Sequence, residues 1–358
     1  MQYSTFAAID IGSYDVILEI FEISKKQGIR SVDKICHRME LGKDTYTLGK
    51  IRPEMEEELC RVLADFVRIM EGYRVDDYRA TASSAISEAS NSLYVLGKIH
   101  QLTGFSVTVL SNSEQRFLSY KALAAMEDNF NKIIEKGTAI LDLDGGSFQI
   151  SLFDKDALVT TQNIRMGSLR IRERLAGIQS ETEHYEEMVE ELIWNEVSSF
   201  KKMYLKDRKI ENIMLIGDVF TDSVYQNIEE KTTKIISREN FNTWYEKIIR
   251  QSPMELAVKL GIPLENASLM YPSAVIYKCL IDMMGAEHIW IPGVHMTRGI
   301  AYEYAEQMKL LKGGHNFEND ILMAAKNIGK RYAVNRPHVQ NLEMTALAMF
   351  DATKKMHG

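Results

Sequence analysis

The chain reads as an α/β protein of two lobes of similar design with a cleft between them, followed by a short all-α segment. Three observations predict this. One hairpin signature occurs twice, as AAIDIGSYDVILEIF over residues 7–21 and AILDLDGGSFQISLF over 139–153. After each copy, β-rich runs alternate with amphipathic helical runs, which is the α/β pattern. Beyond residue 319 only helical signals remain.

Each hairpin copy has an apolar run ending in Asp (Asp10, Asp142), a Gly-Ser turn (Gly12-Ser13, Gly146-Ser147) and a second alternating run, which reads as strand, tight turn, strand. Glycine lets a backbone approach an anion closely, and consecutive turn amides form a nest for phosphate oxygens. An Asp at a strand end can hold a metal or a water. Two such hairpins facing each other would make a phosphate clamp between related lobes.

The remaining elements follow in order. A polar–apolar strand is expected over 32–41. Pro53 opens a helix at its favoured first position, with Met55, Leu59, Val62, Leu63, Phe66 and Ile69 as its apolar stripe. A strand near 78–81 leads through Ser83 and Ser84 into a helix to about 100, ended by Thr103 and Gly104. A β-rich run over 105–110 precedes Ser111, Asn112 and Ser113, good N-cap residues for a helix starting near Glu114. After the second hairpin come a strand over 157–163, an amphipathic helix over 181–205 and a strand over 212–217 that turns at Gly217 and Asp218. Helices are expected near 239–250, 253–260 and 272–284, a strand over 288–291 and a helix over 297–311. Residues 312–315 break the chain, and 319–355 reads as two helices split near 335–337.

The formal charge of −7 argues against a nucleic-acid coat or an anionic membrane surface as partner, and leaves a small phosphorylated ligand open. Cys36, Cys60 and Cys279 are odd in number and lack metal-ligand spacing, so reduced, buried thiols in a cytoplasmic protein are expected. The N-terminal residues lack a basic region followed by an apolar segment of signal-peptide length, and no apolar run is long enough to cross a bilayer. There is no Walker A sequence, GxGxxG, GxSxG or HExxH.

The motifs together resemble the exopolyphosphatase/guanosine pentaphosphatase (Ppx/GppA) family over about residues 5–310. Ile9-Asp10-Ile11-Gly12-Ser13 is similar to the family's Ile-Asp-Leu-Gly-Ser opening. TASSAISEASN (81–91) and LSNSEQRFLSY (110–120) are similar to its Thr-Ser-Ala-Val-Arg-Glu-Ala-x-Asn and Ile-Ser-Gly-x-Glu-Glu-Ala-Arg-Leu-Ile-Tyr segments. LDLDGGSFQI (141–150) resembles Ile-Asp-Ile-Gly-Gly-Gly-Ser-Thr-Glu-Leu. Gly167-Ser168-Leu169-Arg170 resembles Gly-Ala-Val-Arg, and Thr297-Arg298-Gly299 an Arg-Glu-Gly-type turn.

The resemblance implies two ribonuclease-H-like lobes of the actin-like, sugar-kinase-like ATPase superfamily, here 1–127 and 128–312. Residues 313–358 would be a helical segment similar to the start of the HD-type domain of longer members, so that the chain is either natively short or trimmed at a domain boundary. It further implies hydrolysis of terminal phosphoanhydride bonds of polyphosphate or of guanosine penta- or tetraphosphate, dependence on Mg²⁺ or another divalent cation, and a homodimer.

Four expected chemical positions depart from the family. The second Glu of its Glu-Glu pair is Gln115, the Glu closing the second phosphate loop is Gln149, an Arg is Ser87, and the first Gly of the triple-Gly loop is Asp144; Tyr14 and Asp15 also replace an Asn and a small hydroxyl residue. A carboxamide keeps the size of a carboxylate but is no base, and losing a general base lowers rates about 10²- to 10⁴-fold. Glu114 is one residue from Gln115, but successive helical side chains diverge by about 100°, and at the helix start it can instead favour the dipole. Asp144 can repel the anion, serve as a metal ligand or relocated base, or make an Asx-turn. Asp10, Asp15, Asp142, Asp144 and Asp218 would line one acidic cleft.

The catalytic candidates are Asp142, Asp144, Glu114, Gln115 and Gln149. The phosphate-binding candidates are Gly12, Ser13, Gly145, Gly146, Ser147, Arg170 and Arg298, the two arginines having an ion-pair role as the alternative. Asp10 and Asp142 are the metal candidates. A weak hydrolase is the first expectation, a catalytically impaired module binding nucleotide or polyphosphate the second. A sugar-kinase-like phosphotransferase rests on fold analogy alone.

Overall fold

The computed structural model describes residues 3–126, 130–176, 185–206, 208–227, 235–311 and 315–357. Two sheets repeat one topology. The first contains β1 (Ser4–Ile11), β2 (Asp15–Ser24), β3 (Gly28–Arg38), β4 (Asp77–Ala82) and β5 (Val107–Val109) in the order β3-β2-β1-β4-β5. The second contains β6 (Thr138–Leu143), β7 (Phe148–Asp154), β8 (Ala157–Ile164), β9 (Asn212–Ile216), β10 (Ile235–Ser237) and β11 (His288–Trp290) in the order β8-β7-β6-β9-β11-β10. In both, three strands form an antiparallel meander and the next strand runs parallel to the first. The repeated hairpin of the sequence is therefore the seed of a repeated lobe.

The hairpin copies correspond in backbone detail. Gly12 N–H donates to the Asp15 carbonyl and Asp144 N–H to the Ser147 carbonyl, each at 2.9 Å. Asp10 thus matches Asp142, and Gly12 matches Asp144. The two Gly-Ser dipeptides are displaced from one another in this register.

β1 and β6 are continuously apolar because both of their faces are covered. From β1, Ala7, Ile9 and Ile11 face a core shared with the helix Pro53–Tyr73. Phe6 and Ala8 face the helix Met296–Gln307, where Phe6 stacks on Tyr304 with ring centroids 4.1 Å apart. A late segment of the chain thereby closes the first sheet. From β6, Ala139, Leu141 and Leu143 enter the largest core, walled by the helix Leu264–Met284, while Ile140 packs beside Tyr120 on the other face.

Several elements differ from the sequence expectation. The expected strand over 32–41 is β3, held in register by pairing from Asp15↔Arg38 to Ser24↔Gly28, and a helix, Leu41–Leu48, starts where that strand was to end. The helix expected through residue 100 is two, Ser84–Ser87 and Ser92–Thr103. Asn91 interrupts it by exchanging two side-chain hydrogen bonds with the backbone of Ile51. Pro272 lies inside the helix Leu264–Met284 rather than at its start, because burial of that helix along most of its length outweighs one lost hydrogen bond. Of the helix expected over 181–205, Tyr185–Phe200 is helical and Lys201–Leu205 widens into a π turn; residues 181–184, like the break at 312–314, lie outside the described residues. Short helices Phe130–Ile134, Ser168–Leu175 and Val219–Asn227 were not foreseen.

The C-terminal segment is all-α. The helix Phe317–Arg331 is fastened to β8 by Asp320, fully buried, whose carboxylate accepts from Leu158 N–H (3.1 Å) and meets His315 Nε2 at 2.8 Å. The next helix, Arg336–Ala352, begins at the expected split, where the Asn335 side chain accepts from His338 N–H, and it has no buried residue. Removing the Asp320 carboxylate would strand a buried backbone donor. Asp320→Ala is expected to lower stability by about 2 kcal/mol, read as a shift in the midpoint of urea unfolding with unchanged slope.

Candidate active site in the interlobe cleft

The strand ends of both lobes converge on a cavity of about 290 Å³. Asp10 comes from the end of β1, Asp15 from the start of β2, Asp142 and Asp144 from the end of β6, and Asp218 follows β9; all five line it. Among the described residues none of the five makes an ion pair. Burial, the largest effect, pushes Asp10 up to about 8, and the nearby Asp15, Asp144 and Asp142 add to it. Burial likewise pushes Asp144 and Asp218 up to about 7 and Asp142 up to about 6, and raises Asp15. Desolvation disfavours the charged form of a carboxyl group, and here it outweighs the hydrogen bonds and nearby basic groups that favour it.

Local hydrogen bonds fix each carboxylate. Ser119 Oγ donates to Asp142 Oδ2 at 2.6 Å, and Thr81 Oγ1 reaches Asp10 Oδ1 at 3.4 Å. Asp144 Oδ1 takes the Gly145 N–H at 2.6 Å, so the side chain that replaces a glycine occupies an amide of the nest the sequence suggested. Asp218 Oδ1 accepts from Thr221 N–H at 3.1 Å and caps the helix Val219–Asn227. Gly217, with φ of +102°, leaves room for this arrangement, since a β-carbon there would strike Asp142 Oδ1 and the Leu143 carbonyl.

The two loops meet tightly. Ser13 Oγ lies 2.7 Å from the Tyr46 hydroxyl, which lies 2.8 Å from Ser84 Oγ. This hydroxyl cluster fills the space in front of Gly146, where a β-carbon would collide with Tyr46 and Ser84. Gly12, Gly145 and Ser147 therefore line the cavity, while Ser13 and Gly146 are buried behind its wall.

Gln115 and Gln149 are both buried side chains of the cavity wall, and Gln149 Oε1 has no hydrogen-bond partner. Three expected site residues lie elsewhere. Glu114 is exposed and forms a capping box with Ser111, accepting from its N–H at 2.8 Å. Arg170 supports the second loop from behind: Nε donates to the Gly146 carbonyl at 2.8 Å, the guanidinium lies 3.8 Å from the Tyr46 ring centroid, and Nη2 pairs with Glu88 at 3.0 Å. Arg298 points to the Ile29 carbonyl at 3.5 Å, away from the cavity, and its neighbouring charge is Glu19. The basic residues that do line the cavity are Lys34, Arg38 and His295. Alternation on β3 could have revealed the first two. Cys36, expected to be buried, stands exposed between them, its thiol donating to Asp15 Oδ2 at 3.4 Å.

The donor set suits a hard divalent cation. It is oxygen-rich, its five carboxylates make no ion pair among the described residues, and it leaves Asp218 Oδ2 and Gln149 Oε1 buried without partners. Among the described residues no three His, Cys, Asp or Glu side chains form a closed metal cage. Mg²⁺ needs none, being held by one or two carboxylates, waters and phosphate oxygens.

Two repeated meander-plus-parallel sheets closing on a carboxylate-lined cleft define the actin-like ATPase fold. The Ppx/GppA phosphatase family profile matches residues 19–308, and the chain belongs to that family. A bifunctional 3-dehydroquinate synthase/phosphatase of Fusobacterium nucleatum is 21% identical over 310 residues, 79% of this chain and 44% of that protein. Exopolyphosphatase 1 of Mycobacterium leprae is 25% identical over 144 residues, 40% of this chain and 41% of that protein. The chain spans less than half the length of these two relatives. The exopolyphosphatase crystal structure from Cytophaga hutchinsonii shares the fold, with a TM-score of 0.76 at 17% identity over 85% of this chain and 98% of that one. No helix among the described residues is long and apolar enough to cross a membrane.

The raised carboxylates tie stability to pH. The folded state retains protons that the unfolded state, with ordinary values of 3.8, has released. Their effect is most favourable below that value and is lost as pH rises towards about 8. Asp10→Asn is therefore expected to raise the melting temperature in chelator, more at a pH of about 8.5 than at about 5.5. Added Mg²⁺ should stabilise the parent more than the variant. Calorimetry that found equal gains at both pH values would remove the charge cluster as their cause.

Proposed function

We propose that the chain is a phosphoanhydride hydrolase that removes the terminal phosphate of polyphosphate or of a guanosine penta- or tetraphosphate in the interlobe cleft. The observation that carries this reading is the cluster of half-buried carboxylates at the ends of equivalent strands, facing two interlocked glycine loops. Family membership and the names of the exopolyphosphatase relatives support it.

In this reading Gly12, Gly145 and Ser147 seat the terminal phosphate. A divalent cation held by Asp10 and Asp142 would neutralise phosphate oxygens. Water attacks the terminal phosphorus, the bridging P–O bond breaks, and the shortened chain leaves with the bond's electron pair. Asp144 accepts the proton that water loses. Gln115 and Gln149 orient water and phosphate through their amides but take no proton, so turnover is slow. Catalysis is mainly positioning and charge neutralisation.

A second reading, a binding module with little turnover, is favoured by those two glutamines in the cavity wall. Phosphate release from polyphosphate and from guanosine pentaphosphate, with and without Mg²⁺, separates the two. The hydrolase reading expects Mg²⁺-dependent release that falls at least about 100-fold in Asp142→Asn. It also expects Gln115→Glu, alone or with Gln149→Glu, to raise the rate. Release gained only in the glutamate variants would establish the binding module, and none from any variant would remove the hydrolase.

A further inference from the structure

Two cations line the lip of the cavity without an ion-pair partner among the described residues, Arg38 lying over the Tyr14 ring at 5.4 Å from its centroid. Lys34 and Arg38 stand at alternate positions of β3, on either side of Cys36, and all three line the cavity. Antiparallel pairing sets Arg38 opposite Asp15 and Lys34 opposite Glu19. The Glu19 carboxylate accepts from Ser31 and Thr297 and makes no ion pair with Lys34 among the described residues. Both cations are exposed, and neither makes an ion pair among the described residues. The other arginines around the loops are all held: Arg165 and Arg170 by Glu88, Arg172 by Glu40 and Glu173. Both Lys34 and Arg38 favour the ionised form of Asp15, which shares the cavity wall with them, although burial raises that carboxyl overall.

Four residues of extended strand separate the two cations by about 13 Å, at about 3.3 Å per residue. They define a charged line that ends at Asp15, on the wall that also carries Gly12. We propose that this edge of β3 is a track for the distal phosphates of a linear polyphosphate chain whose terminal phosphate sits in the cavity. The proposal rests on the hydrolase reading of the cleft.

A nucleotide fits this lining poorly. Tyr14 is the one Phe, Tyr or Trp among the described residues lining the cavity; it is buried, and its hydroxyl is fixed on Asn266 Oδ1 at 2.8 Å. No free ring face is offered to a base. The cavity, at about 290 Å³, lies at the lower edge of the range for small-molecule sites. A chain of phosphates needs neither a stacking face nor a wide chamber, only cations along its path that make charge-assisted hydrogen bonds to its oxygens.

The test is a Lys34→Gln/Arg38→Gln variant of the full chain, assayed with Mg²⁺ on long-chain polyphosphate, tripolyphosphate and guanosine tetraphosphate. Both residues are exposed, so folding should be retained, as circular dichroism would verify. The track predicts that KM for the long chain rises about tenfold, equivalent to about 1.4 kcal/mol. The effect should lie in KM more than in kcat, shrink with added salt, and be markedly smaller for tripolyphosphate, which is too short to leave the cavity. An unchanged KM for the long chain, or an equal rise for tripolyphosphate or guanosine tetraphosphate, would overturn it. If no probe releases phosphate, the hydrolase reading fails by itself, and calorimetric binding of long-chain polyphosphate decides the track. Binding by the parent that weakens in the variant supports it; equal binding, or none by the parent, ends it.

Discussion

Carboxyl groups crowded together at half-buried strand ends are the constraint on which the rest of this structure depends. Asp10, Asp142, Asp144 and Asp218 could be relieved by moving apart into solvent, and the lobes do not let them. Each is anchored at the end of a strand whose two faces are packed or, for Asp218, at the cap of the helix that follows. Hydrophobic packing far from the cleft holds them there, and their desolvation, with repulsion from neighbouring aspartates added at Asp10, persists as raised proton affinity. A site that holds protons until a cation arrives is a natural result of such an arrangement.

Closure of the cleft is secured by polar bonds across it. Tyr14 of the first loop reaches Asn266, and Arg172 pairs with Glu40 through two 2.8 Å contacts while also bonding Ser268 at 2.9 Å. Glu88 collects Arg165 and Arg170. Apart from Arg165, which is exposed, these groups are partly buried, so their attraction is less screened than that of surface pairs. Arg170 has two tasks, since the guanidinium that bonds Glu88 also holds the Gly146 carbonyl and covers Tyr46. Loop shape and lobe closure are coupled through one side chain.

Much of this was legible in the sequence because it is local. The hairpin repeat gave the duplicated sheets, Pro53 and Asn335 marked helix starts, and apolar-Asp strand ends pointed to the acidic cleft. What was not legible is long-range. Arg170 and Arg298 looked like phosphate ligands until packing gave them backbone carbonyls and carboxylates as partners. Lys34 and Arg38 look like ordinary surface charges until β3 is known to border the cavity. Tyr46 lies on a helix the periodicity did not indicate, and only the three-dimensional approach of Ser13, Ser84 and Gly146 gives it a role.

The late helix Met296–Gln307 carries a consequence for the order in which the molecule is made. Phe6, Ala8, Phe21 and Ile23 are synthesised long before Ile300, Ala301, Tyr304 and Ala305, which cover them together with Leu118. The sheet of the second lobe needs only the continuous stretch from Thr138 to Trp290. The first sheet is therefore fully covered only after the strands of the second have been made, and until then part of one of its faces is open to water and to neighbouring nascent chains.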